Sequence, residues 1–330
     1  MRVLIVRLGA VGDVVRALPV IKVIRYNLLE SQLFWLVGES AKGILEGEDL
    51  DGFFTPRNLG DLRDISFDLV IDLQGLFKSS FISSLLRKRE VIGPSNLSGV
   101  KEPSWLFYNK KVKVDPFLNR VYRNIEFLRS IGFSIPTNLR FRAKIRDEDL
   151  DNAYKVLKDV GIKPGESFIT IHPGSSERTP YKRWGEENFS KLIELIVGSL
   201  GLKVLLTWGS LFERKICEKV RGSNKYVFIF PKKVKLKTLS AVYSLSKLFI
   251  GNDTGPLHIA SFSGANVLGI YGPTNVLVNR PVGEGICEVI YKKVDCSPCR
   301  KRNCALKRCF SYITPDLVFT KVLEILRRAK

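Results

Sequence analysis

Three short stretches of the chain carry residue types that could do chemistry. The first is Arg7-Leu-Gly-Ala-Val-Gly12-Asp13. Its glycines let the backbone turn tightly and approach a ligand closely. Asp13 reads either as a general base or as a helix cap, and on local grounds the cap is the commoner use of such a residue. The second is Gly251-Asn-Asp253-Thr254-Gly255-Pro256-Leu257-His258. Thr254 and Gly255 would present backbone N–H groups at a helix start, which suits an anion. Pro256 fits the first helical turn. His258 lies in that turn, as a packed structural histidine or as part of the anion site. The third runs His172-Pro-Gly-Ser175-Ser176 to Lys182-Arg-Trp184. Hydroxyls and amides supply directional bonds to a diphosphate, and Lys182 supplies charge. The competing reading of this stretch alone is a solvated basic loop.

Each stretch follows an apolar run and precedes a helical pattern, so strand ends must position them. Strands are predicted at Val3–Val6, Leu33–Val37, Leu69–Asp72, Phe168–His172, Val204–Thr207, Val227–Phe230, Leu248–Gly251 and Val267–Ile270. Helices are predicted at Val14–Leu29, Phe77–Leu86, Asp147–Val160, Glu186–Leu200, Leu211–Val220, Leu236–Leu245 and Leu257–Ser263. Such alternation calls for parallel sheets with helices on both faces. An α/β fold of two Rossmann-like blocks follows, with the helix starts facing one crevice. The blocks are expected at 1–146 and 147–313. A final helix, 314–330, has Thr314 as cap, Pro315 at its first position and Asp316 in its first turn. It is expected to cross back onto the N-terminal block.

The 330 residues are 45% hydrophobic and 26% charged. That excludes a disordered chain, a collagen and a small disulfide scaffold. No apolar run is long enough for a signal peptide or a membrane span, so a cytoplasmic protein is expected. Lys and Arg number 53 against 33 Asp and Glu, a net charge of +20. This excess points to nucleic acid, an anionic membrane surface or an acidic substrate. Residues 101–146 hold 11 Lys or Arg against three acids, and Arg120 and Arg123 would share a helix face. Four cysteines, Cys296, Cys299, Cys304 and Cys309, cluster near the C-terminus. The first pair has metal-ligand spacing, but the second lies closer than usual zinc motifs allow. Reduced structural thiols, a disulfide and a structural metal site all remain open for them.

Taken together, these motifs resemble the ADP-heptose lipopolysaccharide heptosyltransferases of glycosyltransferase family 9. The matching pieces are Gly12-Asp13, Asp72-Leu-Gln74-Gly75-Leu-Phe-Lys78-Ser79, Ser175-Ser176 with Lys182-Arg-Trp184, Trp208-Gly209 with Glu213, Asp253-Thr254-Gly255-Pro-Leu-His258, and Tyr271-Gly272-Pro273-Thr274. The resemblance covers nearly the whole chain and implies a GT-B fold, two Rossmann-like domains facing a central cleft. It makes Asp13 the base that takes the acceptor's proton. It assigns Ser175, Ser176, Lys182, Asp253, Thr254, Gly255 and His258 to the donor diphosphate pocket, Glu213 to the adenosine ribose and Val234 to the adenine pocket. Arg7, Gly12, Gln74, Lys78, Arg120 and Arg123 fall to the acceptor. The donor would be ADP-heptose with no further cofactor. The acceptor would be an anionic Kdo-lipid A type precursor at the inner face of the inner membrane, reached by electrostatics. The Cys-Ser-Pro-Cys segment is similar to heptosyltransferase II in particular. This sequence has extra residues between Ser176 and Lys182 compared with some relatives.

Three other readings compete. One is a family 9 enzyme with another sugar or acceptor. A nucleic-acid-binding protein would use the basic excess, but the basic residues are dispersed and no known nucleic-acid module appears. An oxidoreductase would need the G-x-G-x-x-G fingerprint, which is absent.

Overall fold

A computed structural model describes every residue except Arg63, Arg300, Arg302, Asn303, Ala305 and Lys330. The chain divides into two compact units, Met1–Lys144 and Ile145–Lys330. The division falls two residues before the expected boundary.

The first unit holds six strands: β1 (Arg2–Val6), β2 (Gln32–Leu36), β3 (Gly52–Phe54), β4 (Phe67–Asp72), β5 (Lys88–Pro94) and β6 (Lys110–Val112). They form one sheet in the order β3-β2-β1-β4-β5-β6. Every pairing is parallel. Val3 to Val6 are completely buried, as a central strand covered on both faces should be. Its helices are α1 (Val11–Val15), α2 (Pro19–Asn27), α3 (Leu59–Leu62), α4 (Phe77–Leu85) and α5 (Arg120–Ser130). The single helix expected over 14–29 is therefore two. Pro19 has no N–H to continue the ladder, so it ends the first and opens the second.

The second unit repeats the plan. Its strands are β7 (Phe168–His172), β8 (Lys203–Leu206), β9 (Val227–Ile229), β10 (Leu248–Asn252), β11 (Val267–Tyr271) and β12 (Cys287–Tyr291). Their order is β12-β11-β10-β7-β8-β9, again all parallel. The helices are α6 (Asp147–Asp159), α7 (Glu186–Leu200), α8 (Leu211–Arg221), α9 (Leu236–Leu245), α10 (Gly255–Phe262), α11 (Val276–Asn279), α12 (Arg308–Ser311) and α13 (Pro315–Arg328).

The seat of α13 corrects an expectation. Thr314 caps it as expected, accepting from the Leu317 amide at 3.3 Å. Its buried face, Val318, Val322 and Ile325, belongs to the core of the second unit and packs on α7. Trp184 anchors the entry by donating to the Ile313 carbonyl at 2.7 Å. An amphipathic helix has one apolar stripe, and here the second unit takes it. Lys330, the last residue of the expected helix, lies outside the described residues.

Candidate active site

In each unit the strand order reverses beside the central strand, between β1 and β4 and between β7 and β10. Open parallel sheets form a ligand crevice at the carboxyl ends of such strands. Val6 pairs with Asp72 and Gly251 with His172. The motif stretches therefore leave the sheets at these reversals.

In the first unit, α1 is capped at Ala10, with no side-chain cap bond. Asp13 sits inside the first turn, so the cap reading fails. Its carboxylate faces three guanidinium groups instead. Arg7 lies at 3.4 Å, Arg16 at 3.1 Å and Arg120 at 3.1 Å. Arg16 also donates to the Gly12 carbonyl at 3.0 Å, which fixes that buried glycine. Arg7 is buried and donates to the Leu73 carbonyl. Burial pulls its guanidinium below the ordinary value, partly offset by Asp13. Arg123 is pushed down to about 10 by burial and by Arg120 and Arg7. As expected, Arg120 and Arg123 stand one turn apart on α5, with Asn119 capping it through the Val121 amide at 3.0 Å. Four guanidinium groups thus surround one carboxylate. The Nε atoms of Arg7 and Arg120 are buried without a hydrogen-bond partner. Such an excess of fixed positive charge draws an anion.

The β4 turn frames this cluster. Asp72 is fully buried and accepts from the Gln74 amide at 2.7 Å, the Gly75 amide at 3.2 Å, the Ser79 hydroxyl at 2.8 Å and Tyr108 at 2.9 Å. Burial pushes its carboxyl upward. It holds a turn rather than a ligand. Gly75 takes a left-handed φ of 67° there, where a side chain would be strained. Gln74 accepts from the Gly9 amide at 3.4 Å, while Lys78 is exposed on α4.

In the second unit, Lys182 lies 2.9 Å from the Asp253 carboxylate and donates to the Asp253 carbonyl at 3.1 Å. The His258 ring stands 3.7 Å from the other oxygen of Asp253. Burial would raise the Asp253 carboxyl, but His258 and Lys182 hold it well below the usual carboxylate range. Thr254 forms the N-cap of α10 and leaves Gly255 and Pro256 half-buried at its start. Asn252 staples the loops: it donates to the Pro173 carbonyl at 2.9 Å and accepts from the Trp184 amide at 3.0 Å.

Glu213 is the second buried acid here. It accepts from the Gly209 amide at 2.7 Å and stands 3.6 Å from His172. Burial works against its charged form, but His172 and the Gly209 and Ser210 amides outweigh it and hold Glu213 down to about 2. His172 is placed in turn by the Thr207 hydroxyl at 3.2 Å. A Cβ on Gly174 would fall 2.8 Å from Glu213 Cγ, so only glycine fits beside this carboxylate.

The serine pair splits. Ser175 is fully buried, donating to the Thr179 carbonyl at 2.8 Å and accepting from Arg183 at 3.0 Å. Its hydroxyl organises the loop, while Ser176 is exposed. The extra residues close a turn from Ser176 to Thr179 and a 3-10 turn at Pro180–Lys182. Val234 is half-buried in the loop before α9.

Arg16 and Asn252 escaped the sequence reading. Arg16 had a signal, its spacing of three from Asp13 on a helix. Asn252 had none, because its partners arrive from residues far along the chain. The six cysteines are free thiols. Among the described residues, no three His, Cys, Asp or Glu side chains gather as a metal would need. The Cys299 amide donates to the Pro273 carbonyl at 2.7 Å, and Phe310 packs where a Cβ on Gly272 would fall, 2.3 Å away. The cysteine segment thereby fastens the loop after β11.

The family model described as glycosyltransferase family 9 (heptosyltransferase) matches residues 58–309. The chain belongs to glycosyltransferase family 9. It is similar to lipopolysaccharide heptosyltransferase 1 of Campylobacter coli, 27% identical over 83% of this chain and 84% of that protein. Among solved structures, E. coli heptosyltransferase WaaC with ADP superposes with a TM-score of 0.75 at 24% identity, over 100% of this chain and 99% of the other. E. coli ADP-heptose heptosyltransferase II gives 0.81 at 16% identity, over 99% of each chain. The fold is GT-B, and this family 9 chain is a glycosyltransferase. No helix among its described residues is long and apolar enough to cross a membrane.

Proposed function

We propose that the chain moves heptose from ADP-heptose to the inner core of a lipopolysaccharide precursor, inverting the sugar carbon. The observation that carries this reading is the arginine-ringed Asp13 at the β1/β4 reversal. The ring offers an anionic acceptor several cationic donors, and the carboxylate offers a proton acceptor. Arg7, Arg16, Arg120 and Arg123, with Gln74, Lys78 and the Gly12 backbone, serve the acceptor, so the first unit is its domain. The second unit serves the donor. Ser176, Lys182, Thr254, Gly255 and His258 bind the diphosphate, Glu213 the ribose and Val234 the adenine, while Asp253 positions Lys182.

The acceptor oxygen attacks the anomeric carbon as the bond to ADP breaks. The leaving diphosphate gathers negative charge, which Lys182 and the amides opening α10 stabilise. The acceptor proton passes to Asp13. An aspartate carboxylate is a weak base at neutral pH, so this transfer comes late, as the new bond forms. The place of work is the cytoplasmic face of the inner membrane, where lipid phosphates and Kdo carboxylates meet a chain of net charge +20.

The 27% identity favours a type 1 transferase, while the cysteine segment favours type II. One experiment tests the reaction and the type together. The protein is mixed with ADP-heptose and acceptors truncated at successive core positions, and products are weighed. One heptose added to a single truncation is expected. No transfer to any of them overturns the reading.

A further inference from the structure

Helix α4 leaves an apolar stripe uncovered. Its buried face carries Ser79, Ser80 and Ser83, each fully buried, beside Ile82, which packs into the core. Its solvent face carries Phe77, Phe81 and Leu85, spaced four apart and 46%, 45% and 68% exposed. Residues at that spacing form one stripe. The 3-10 turn Ser104–Phe107 lies against α4 and adds two more apolar side chains. Phe107 stands edge-on to Phe77 at 5.3 Å and to Phe81 at 6.0 Å, and those two rings stack at 6.1 Å. Leu106 beside it is 70% exposed. Exposed apolar residues scattered singly need no explanation, but a contiguous patch marks an interaction surface.

The rim of this patch is basic. Edge strand β6 follows the turn at once and exposes Lys110 and Lys111, and Lys101 lies exposed before it. Lys78 is exposed on α4 itself. The nearest acid, Glu102, accepts from the Phe77 amide at 2.7 Å.

We infer that the α4 stripe with Leu106 and Phe107 is a docking surface for an anionic phospholipid bilayer. Aromatic and leucine side chains enter the headgroup–acyl boundary, and the lysines meet the lipid phosphates. A second copy of this chain is a poorer occupant. A two-fold contact would set one lysine rim against the other. The inference deepens the membrane-acceptor reading and rests on it for its purpose, since Lys78 and Gln74 flank the start of the same helix.

The test is sedimentation of the full chain with vesicles of phosphatidylglycerol and phosphatidylethanolamine, against vesicles of phosphatidylcholine. Binding to the anionic vesicles, weakened by salt, is expected. Phe77→Ser with Phe81→Ser and Leu85→Ser should lower that binding about tenfold or more, since each change removes apolar surface that the bilayer would cover. Turnover on a soluble, deacylated acceptor should be unchanged. Leu85→Ala with Leu106→Ala is a milder pair at positions more than two-thirds exposed, so it cannot unsettle the core; it should weaken binding several-fold. Parent-like vesicle binding by both variants overturns the inference. So does a parent dimer in size-exclusion chromatography that the triple variant abolishes. A parent chain that binds vesicles but turns over no acceptor instead overturns the transferase reading alone.

Discussion

Asp13→Asn removes one negative charge from among four guanidinium groups and leaves the backbone alone. Two effects should appear together. Loss of a general base typically lowers the rate ~10²–10⁴-fold. Loss of the counter-charge should also destabilise the fold, by on the order of 1–3 kcal/mol, because Arg7 and Arg16 are buried beside it. Phosphate in the buffer should restore much of that stability but none of the rate. Thermal unfolding with and without phosphate, and single-turnover kinetics, check this; near-normal turnover would remove Asp13 from the chemistry. Glu213 makes a different prediction. Its folded value of about 2 lies below the ordinary glutamate range. The stability it contributes is therefore present above that range and is lost as pH falls toward about 2. Glu213→Gln should lower the melting temperature at pH 7, and the deficit should shrink as pH approaches 3. A deficit that does not change with pH would show that the pair with His172 contributes only packing.

Ile325 lies on the buried face of α13, completely enclosed. Ile325→Ala should cost ~2–5 kcal/mol in denaturant unfolding, the range for truncating a large core side chain. A cost near zero would mean that the helix is not held where described. How much of the fold could be read in advance follows from the same burial logic. The central strands were legible because both faces are covered, so Val3–Val6 reads as an unbroken apolar run and Phe168–His172 as a mostly apolar one rich in β-formers. Strands β3 and β6 were not, being three residues each at the sheet edges; β6 carries two exposed lysines, as an edge strand that avoids pairing often does. The break between α1 and α2 is written in Pro19, but the apolar spacing continues across it and masks the break. In the candidate site, the position of Asp13 and of Lys182 after a strand was legible, while the roles given to them came from the family resemblance. The burial of Ser175 was not legible, because it depends on Thr179 and Arg183 folding back over it.

At the scale of the molecule, the charge of +20 is unevenly used. Some cations are drawn into the Asp13 ring and Lys182 is drawn to Asp253, while others rim α4 and β6. If Lys182 and the opening amides of α10 carry the charge of the leaving diphosphate, transfer should proceed at full rate with EDTA in excess. Turnover abolished by EDTA and restored by Mg²⁺ or Mn²⁺ would refute that assignment.

The 2.9 Å contact between Lys182 and Asp253 has one more consequence. The carboxylate is an internal stand-in for phosphate, keeping the lysine in place before any nucleotide arrives. A diphosphate entering the pocket then exchanges one partner of Lys182 for another, so only the difference between the two contacts appears as affinity. The same exchange runs backwards when ADP leaves, and the carboxylate can displace it. Asp253→Asn should hold ADP more tightly and release it more slowly, trading a lower ADP dissociation constant for a lower steady-state turnover, as calorimetry and product-release kinetics would read.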